Sequence, residues 1–191
     1  MTAPLYTALV HHPVRDREGL TVTAAVTNID VHDIARSSHT FGARGLSIVS
    51  PIDAQRELVV KILEHWRVGA GKRRMPHRSE ALAIVRPAAS IEETIDWIAR
   101  QEGQSPKLIA TAARPLPGGT LTSFADGARL AAADTRPWLI LFGTGHGLID
   151  DVLARADLLL EPIHGVGEYN HLSVRAAAAI VLDRLFGRAI A

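Results

Sequence analysis

Three glycines alternate with other residues in a segment whose backbone could hold a ligand. Gly143, Gly145 and Gly147 stand at every second position of residues 141–148 (LFGTGHGL), directly after an apolar run. Glycine lets backbone N–H and carbonyl groups turn sharply and approach a ligand closely. A Walker loop is excluded because no Gly-Lys-Ser/Thr follows, and the glycine spacing fits the dinucleotide fingerprint poorly. The segment is equally compatible with a tight connection between a strand and a helix.

A second polar segment, residues 161–173 (EPIHGVGEYNHLS), lies between an apolar run and a long helical pattern. It contains two histidines, a tyrosine and an asparagine, which is more polar side chains than a loop needs if it only connects a strand to a helix. His171 would titrate near neutral pH, which suits a general base, and it is also compatible with a hydrogen-bonded loop residue. Ser173 is a candidate N-cap for the following helix.

The third segment, residues 27–38 (TNIDVHDIARSS), carries an arginine that could bind phosphate. If residues 31–40 form a helix, His32 and Arg36 lie one turn apart on a shared face. Arg36 could then hold a phosphate through two parallel hydrogen bonds. The alternative is an ion pair between Arg36 and Asp33 on a solvated helix face. Nothing completes a metal-ligand set here, so we expect no metal.

Two further features are weaker. Thr111 and its small neighbours end a predicted strand, where a flat ring could approach, although a plain turn explains them equally well. The irregular segment 67–78 holds a basic cluster that could contact RNA phosphates or could be a solvated loop. The cluster consists of Lys72, Arg73, Arg74 and Arg78.

Strands and helices alternate along the chain. Short apolar runs predict buried strands over residues 5–11, 45–49, 107–112, 138–142 and 157–160. Apolar residues at helical spacing predict helices over residues 55–66, 91–102 and 174–186. Ser90 and Glu93 form a capping box at the start of the second helix. The alternation predicts an α/β fold, with a mostly parallel sheet covered by helices on both faces. Such sheets bind ligands beyond the carboxyl ends of their strands, where these segments lie.

Composition narrows the class of protein. The 191 residues are 47% hydrophobic and 21% charged, with no repeat or linker, which predicts one globular domain over residues 1–191. The absence of cysteine excludes disulfides and thiolate chemistry and favours a cytoplasmic location. No apolar stretch approaches the ~20 residues of a membrane span. A net charge of +1 excludes a bulk polycation but leaves room for a local basic patch.

Three segments, in this order along the chain, resemble the SPOUT superfamily of RNA methyltransferases. They are NIDVHDIAR (residues 28–36) continuing to Phe41 and Gly42, LILFGTGHGL (residues 139–148) and EPIHGVGEYNHLSVRAAAAI (residues 161–180). The resemblance covers nearly the whole chain and implies S-adenosylmethionine as cofactor. It also implies tRNA or rRNA as substrate, a homodimer with a shared substrate site, and a C-terminal deep trefoil knot. It is closest to a small branch found alone or fused to a tRNA guanine-N1 methyltransferase domain.

The resemblance assigns roles residue by residue. The cofactor-binding positions it implies lie in two loops and at one strand end: Thr111, Phe142, Gly143, Thr144, Gly145, Gly147, Ile163, His164, Gly165, Leu172 and Ser173. Arg36 matches the family arginine that lies near the substrate phosphate. Asn28, Asn170 and His171 are the candidates for orienting the acceptor or accepting its proton.

The chain departs from the SpoU-type ribose methyltransferases in two places. Where those enzymes carry S-L-N-V-S, this chain has YNHLS, so His171 stands at the asparagine position. Asp30 stands where an asparagine usually precedes the arginine by six residues. These differences indicate another SPOUT branch and leave the methylated atom open. Two alternatives also stay open: a non-catalytic knotted RNA-binding protein, and a nucleotide-cofactor oxidoreductase, which the lack of an N-terminal G-x-G-x-x-G counts against.

Overall fold

The structure is a computed structural model that describes residues 2–67, 75–112, 120–167 and 169–188. Its strands are β1 (Leu5–Val10), β2 (Val14–Arg15), β3 (Thr21–Val22), β4 (Gly45–Val49), β5 (Val85–Ala88), β6 (Lys107–Ala110), β7 (Leu121–Thr122), β8 (Trp138–Gly143) and β9 (Leu158–Leu160). Its helices are α1 (Asn28–Thr40), α2 (Asp53–Arg67), α3 (Pro76–Ala83), α4 (Ile91–Glu102), α5 (Phe124–Ala133), α6 (Asp150–Ala154) and α7 (Val174–Phe186).

Seven strands form one sheet in the order β5-β4-β1-β8-β6-β9-β7. Every pairing in this sheet is parallel, and β2 and β3 form a separate antiparallel pair. The central strands β1 and β8 run in register from Leu5 opposite Trp138 to Val10 opposite Gly143. Their carboxyl ends therefore meet at the same edge of the sheet.

Helices cover both faces of the sheet. Along β1, Leu5 and Leu9 belong to a core shared with α1, α2, α5 and α7. Tyr6, Ala8 and Val10, which point the opposite way, belong to a second core shared with α4 and α6. This arrangement confirms the predicted α/β fold with a mostly parallel sheet.

For two helices, the sequence pattern predicts the first and last residue correctly. α4 and α7 have the predicted bounds, and Ser90 accepts a hydrogen bond from the Glu93 N–H at 3.1 Å. The Glu93 carboxylate completes the cap by accepting from the Ala89 N–H at 2.7 Å. α1 begins three residues earlier than predicted because Thr27 caps it and accepts from the Asp30 N–H at 3.3 Å.

Other elements are not predicted by the pattern. The segment 67–78 is not wholly irregular, because it contains the end of α2 and the first turn of α3. β5 carries Arg86 and Pro87 in four residues, which obscures its apolar pattern. Proline is tolerated there because β5 is an edge strand. In the described ranges, no helix is both long and apolar enough to cross a membrane.

Candidate cofactor and RNA site

The glycine-rich loop is fixed to the central strand. At its start, Thr144 donates to the Val10 carbonyl oxygen from both its backbone N–H, at 3.1 Å, and its hydroxyl, at 2.9 Å. One strand further, the Thr111 hydroxyl donates to the Leu141 carbonyl at 3.0 Å. The predicted residues Thr111 and Thr144 therefore lie at neighbouring strand ends, as the sequence indicated.

The conformation of this loop depends on its glycines, and Gly147 has a φ of +102°. Gly145 has a φ of +60°, and a Cβ there would lie 2.9 Å from the Arg15 carbonyl oxygen. A Cβ on Gly143 would lie 2.8 Å from the Leu148 nitrogen. The loop also pairs with β2, because His146 N–H donates to the Arg15 carbonyl at 3.0 Å. A ligand would thus meet a rigid backbone with little side-chain cover.

Phe142 and Ile163 contribute differently from the other predicted cofactor residues. The Phe142 side chain is fully buried in the core with α1 and α7, so only its backbone reaches the loop. Ile163 packs against the same core. By contrast, His164, Gly165 and Leu172 are exposed, so they are accessible to a ligand.

The second loop, residues 161–173, is anchored at both ends. The Glu161 N–H donates to the Thr122 carbonyl at 2.9 Å, and its carboxylate accepts from the Phe124 N–H at 2.9 Å. At the other end, Ser173 caps α7 by accepting from the Ala176 N–H at 3.2 Å, as predicted. Between these anchors, residues 162–167 and 169–172 make no backbone–backbone hydrogen bond within the described part of the chain. Their peptide groups are available to a ligand.

Two of the three candidates for orienting the acceptor or accepting its proton lie in this loop. Asn170 is half-buried, whereas His171 is exposed and packs its ring edge-on against Tyr169, with centroids 5.2 Å apart. Asn28 is exposed in the first turn of α1 and is not among the residues that line the adjacent groove. Asn170 and His171 are likewise not among the residues that line this groove.

An open groove of about 530 Å³ lies between α1 and α7. Arg36 lines it from α1, and Ser173 and Arg175 line it from α7. Arg36 is exposed, and no carboxylate of the described residues lies within 4 Å of it. The predicted alternative of an Arg36–Asp33 ion pair is therefore wrong. Asp33 instead places its Oδ2 atom 3.6 Å from Arg175 Nε.

Arg175 is a site residue that the sequence analysis missed. Its Nη1 atom donates to Asp30 Oδ1 at 2.5 Å, and Asp30 Oδ2 accepts from the Thr27 hydroxyl at 2.5 Å. A cation in the first turn of a helix opposes the helix dipole and needs compensating negative charge. Arg175 is the lone charge in the alanine-rich first turns of α7, and this was the signal that a carboxylate partner was required.

The buried His11 and the half-buried His32 both have lowered pKa values. His11, at the end of β1, is fully buried, and both its ring nitrogens are without a partner among the described residues. Burial lowers the pKa of His11 to about 4, partly offset by the nearby Asp30 carboxylate. Burial also lowers the pKa of His32, and the neighbouring Arg78 guanidinium lowers it further.

Of the predicted RNA-binding cluster, Arg78 alone lies among the described residues. Its guanidinium lies over the Trp66 ring, 5.0 Å from the centroid, and His32 packs edge-on against the same ring. Lys72, Arg73 and Arg74 lie outside the described residues. Within the described ranges, no group of three His, Asp or Glu residues could hold a metal ion.

A family profile described as SAM-dependent RNA methyltransferase matches residues 4–187. The chain belongs to this family. A tRNA (guanine-N(1)-)-methyltransferase of Oleidesulfovibrio alaskensis is 47% identical over 186 residues, which are 97% of this chain and 43% of that relative. The chain therefore spans less than half the length of that relative. An uncharacterized protein of Aquifex aeolicus is 40% identical over 184 residues, covering 96% of this chain and 89% of that protein.

A solved structure shows the same fold. The SpoU methyltransferase AviRb from Streptomyces viridochromogenes superimposes with a TM-score of 0.59 at 19% identity, covering 97% of this chain and 60% of that chain. The solved structure supports the predicted SPOUT-like fold, and the description of the family agrees with the predicted class and with S-adenosylmethionine as the cofactor of that family. Membership of this family also argues against the oxidoreductase alternative.

The residues of the two loops fit this cofactor. S-adenosylmethionine carries a positive sulfonium beside neutral adenine and ribose groups, which backbone carbonyl and N–H groups can bind without a charged partner. The glycine loop and the peptide groups of residues 162–167 and 169–172, which have no backbone partner among the described residues, supply such groups.

Proposed function

We propose that this protein methylates tRNA, with its cofactor held by the loops 143–147 and 161–173 and its RNA held beside Arg36. The observation that carries the proposal is that Arg36 and Ser173 line one groove. The predicted phosphate-binding arginine thus lies next to the predicted cofactor loop. The relative from Oleidesulfovibrio alaskensis, named as a tRNA methyltransferase, supports tRNA over rRNA.

S-adenosylmethionine supplies an electrophilic methyl group on its sulfonium, so the protein needs no covalent intermediate. Its task is to align the acceptor atom with that carbon and to receive the acceptor's proton. Arg36 positions the nucleotide by holding its phosphate, because its exposed guanidinium can form two parallel hydrogen bonds. Asn170 or His171 orients the acceptor, and His171 is the candidate that can accept its proton, because a neutral imidazole has a free ring nitrogen.

The remaining parts of the proposal follow from the resemblance to the family. The chain acts as one domain over residues 1–191 and forms a homodimer with a shared substrate site. Its C-terminal loops form a deep trefoil knot. The absence of cysteine supports a cytoplasmic location. The guanine-N1 specificity in the relative's name belongs to a protein of which this chain matches 43%, so the methylated atom is left to experiment.

Titration calorimetry with S-adenosylmethionine and S-adenosylhomocysteine, and with NADH as a control, tests the cofactor site. We expect saturable binding of the first two compounds alone. Labelled methyl transfer to total tRNA, with rRNA as a second substrate, then tests the reaction, and mass spectrometry of nuclease digests locates the methyl group. Transfer to rRNA alone would overturn the tRNA assignment. Cofactor binding without transfer to either RNA would favour the non-catalytic RNA-binding alternative.

A further inference from the structure

We propose that Arg175 is a second phosphate-binding residue of the groove, acting beside Arg36 on the same RNA backbone. This inference rests on the proposed function, because it assigns a further residue to the proposed RNA site. Arg175 lines the groove with Arg36, yet it stands 139 positions later in the chain. About one third of its side chain is exposed (32%), so part of the guanidinium faces solvent in the groove.

Asp30 fixes the position of this guanidinium. The Asp30 side chain is largely buried, at 11% exposure, and it accepts from both Arg175 and the Thr27 hydroxyl. A buried carboxylate needs a paired charge, and a paired guanidinium loses much of its rotational freedom. Asp30 also stands at the position where the family usually carries asparagine. In this chain the carboxylate at that position pairs with Arg175.

Arg175 keeps hydrogen-bond donors for a ligand. A guanidinium has five N–H donors, of which Asp30 takes one on Nη1 and Asp33 faces Nε at 3.6 Å. The Nη2 atom of Arg175 has no partner among the described residues. Arg36 brings the second guanidinium, which is exposed and has no carboxylate within 4 Å in the described part of the chain. Two guanidinium groups on opposite walls of one groove suit a phosphate.

Asp33 offers a test of the proposal, because its negatively charged side chain lines the same groove. If RNA phosphate lies there, Asp33 repels it, and Asp33→Asn will strengthen RNA binding. Unchanged RNA affinity in Asp33→Asn would mean that no RNA phosphate lies in this groove, and the Arg175 variants then decide whether Arg175 contacts RNA.

The experiment measures the Kd of total tRNA for the 191-residue chain over a series of KCl concentrations, with urea unfolding and S-adenosylmethionine binding in parallel. The variants are Arg175→Ala, Arg175→Lys and Asp33→Asn. The matched control is Arg129→Ala, since Arg129 is an exposed arginine that pairs with Asp126 on α5, away from the groove.

We expect Arg175→Ala to weaken tRNA binding by about 10-fold and to reduce the slope of log K against log salt by about 0.7–0.9, the change for one phosphate contact. Arg175→Lys should keep the salt slope because the positive charge remains. It should bind tRNA more weakly than the wild type because an ammonium group cannot form the two parallel hydrogen bonds of a guanidinium. Asp33→Asn binds tRNA more tightly, and Arg129→Ala behaves as the wild type.

An unchanged salt slope in Arg175→Ala, with a loss of stability only, would overturn the proposal. If Arg175→Ala fails to fold, unchanged or weaker tRNA binding by Asp33→Asn overturns it instead. The two proposals fail separately. If the wild type transfers methyl groups and the salt slope of tRNA binding does not change in Arg175→Ala, only this inference is overturned. If the salt slope depends on Arg175 but the wild type transfers no methyl group, only the proposed catalytic function is overturned. If the wild type does not bind tRNA, both proposals are overturned.

Discussion

Thr144 donates two hydrogen bonds to a single carbonyl oxygen, that of Val10, from its backbone N–H and from its hydroxyl. Val10 is the last residue of β1, and Thr144 directly follows the neighbouring strand β8. The glycine-rich loop therefore leaves the sheet from a fixed point, although its own residues carry little side chain. A loop that binds a cofactor through backbone groups must be held in this way, because backbone donors that move lose their alignment.

Removing the Thr144 hydroxyl should loosen this loop. Thr144→Val keeps the shape of the side chain and the backbone N–H bond but loses the 2.9 Å hydrogen bond. We expect a loss of about 1 kcal/mol in the free energy of unfolding. We also expect weaker S-adenosylmethionine binding, measured by calorimetry. Thr21→Val, at an exposed position on β3, is the control and should change neither quantity.

Alanine at Gly145 should be more damaging than alanine at Gly167 in the other loop. Gly145 has a φ of +60° and would place its Cβ 2.9 Å from the Arg15 carbonyl oxygen, whereas nothing lies within 4 Å of a Cβ on Gly167. Gly145→Ala is expected to cost about 1–3 kcal/mol of stability through strain and contact. Urea unfolding and cofactor titration of both variants test this, and equal effects would contradict the assigned loop conformation.

Arg36→Ala should separate RNA positioning from cofactor binding. Arg36 is exposed in the groove and has no carboxylate partner within 4 Å among the described residues, so its removal breaks no ion pair there. We expect stability and S-adenosylmethionine affinity close to those of the wild type. Methyl transfer to tRNA should fall by about 100-fold through misplacement of the acceptor. Lost cofactor binding in this variant would mean that Arg36 belongs to the cofactor site instead.

Burial of His11 should make the protein less stable in weak acid. Its pKa is about 4 in the folded chain against 6.5 for the free side chain, so between these values the unfolded state binds more protons. As far as His11 is concerned, the free energy of unfolding has its full value above pH 6.5 and decreases as the pH falls towards 4. Between pH 7.5 and pH 5 the free energy of unfolding should decrease by about 2 kcal/mol from this residue.

Urea unfolding at several pH values measures this decrease. His11→Leu removes the titrating group and should flatten the pH dependence over this range, whatever its effect on stability at pH 7.5. His77→Gln is the matched control because the His77 side chain is fully exposed (100%). An unchanged pH profile in His11→Leu would contradict the assignment.

The elements with strong local signals were predictable. α4 and α7 have an apolar stripe at helical spacing, a serine cap and no interruption, so their bounds follow from the sequence. β5 was not predictable because Arg86 and Pro87 interrupt a strand of four residues, and its place at the sheet edge explains why they are tolerated. α5 was missed although Ser123 and Asp126 mark its start, with Ser123 accepting from the Asp126 N–H at 3.0 Å.

The sequence by itself determined the α/β class, the order of the main strands and helices, and the family, through segments that carry their glycines and polar residues in a fixed order. Only the tertiary structure decided which charges pair. By spacing alone, Arg36 and Asp33 were candidate partners, but Asp33 faces Arg175, whose main partner is Asp30, 145 positions away. Periodicity and capping arise from contacts within a few residues. The pairing of α1 with α7 arises because both helices pack on one face of the same sheet.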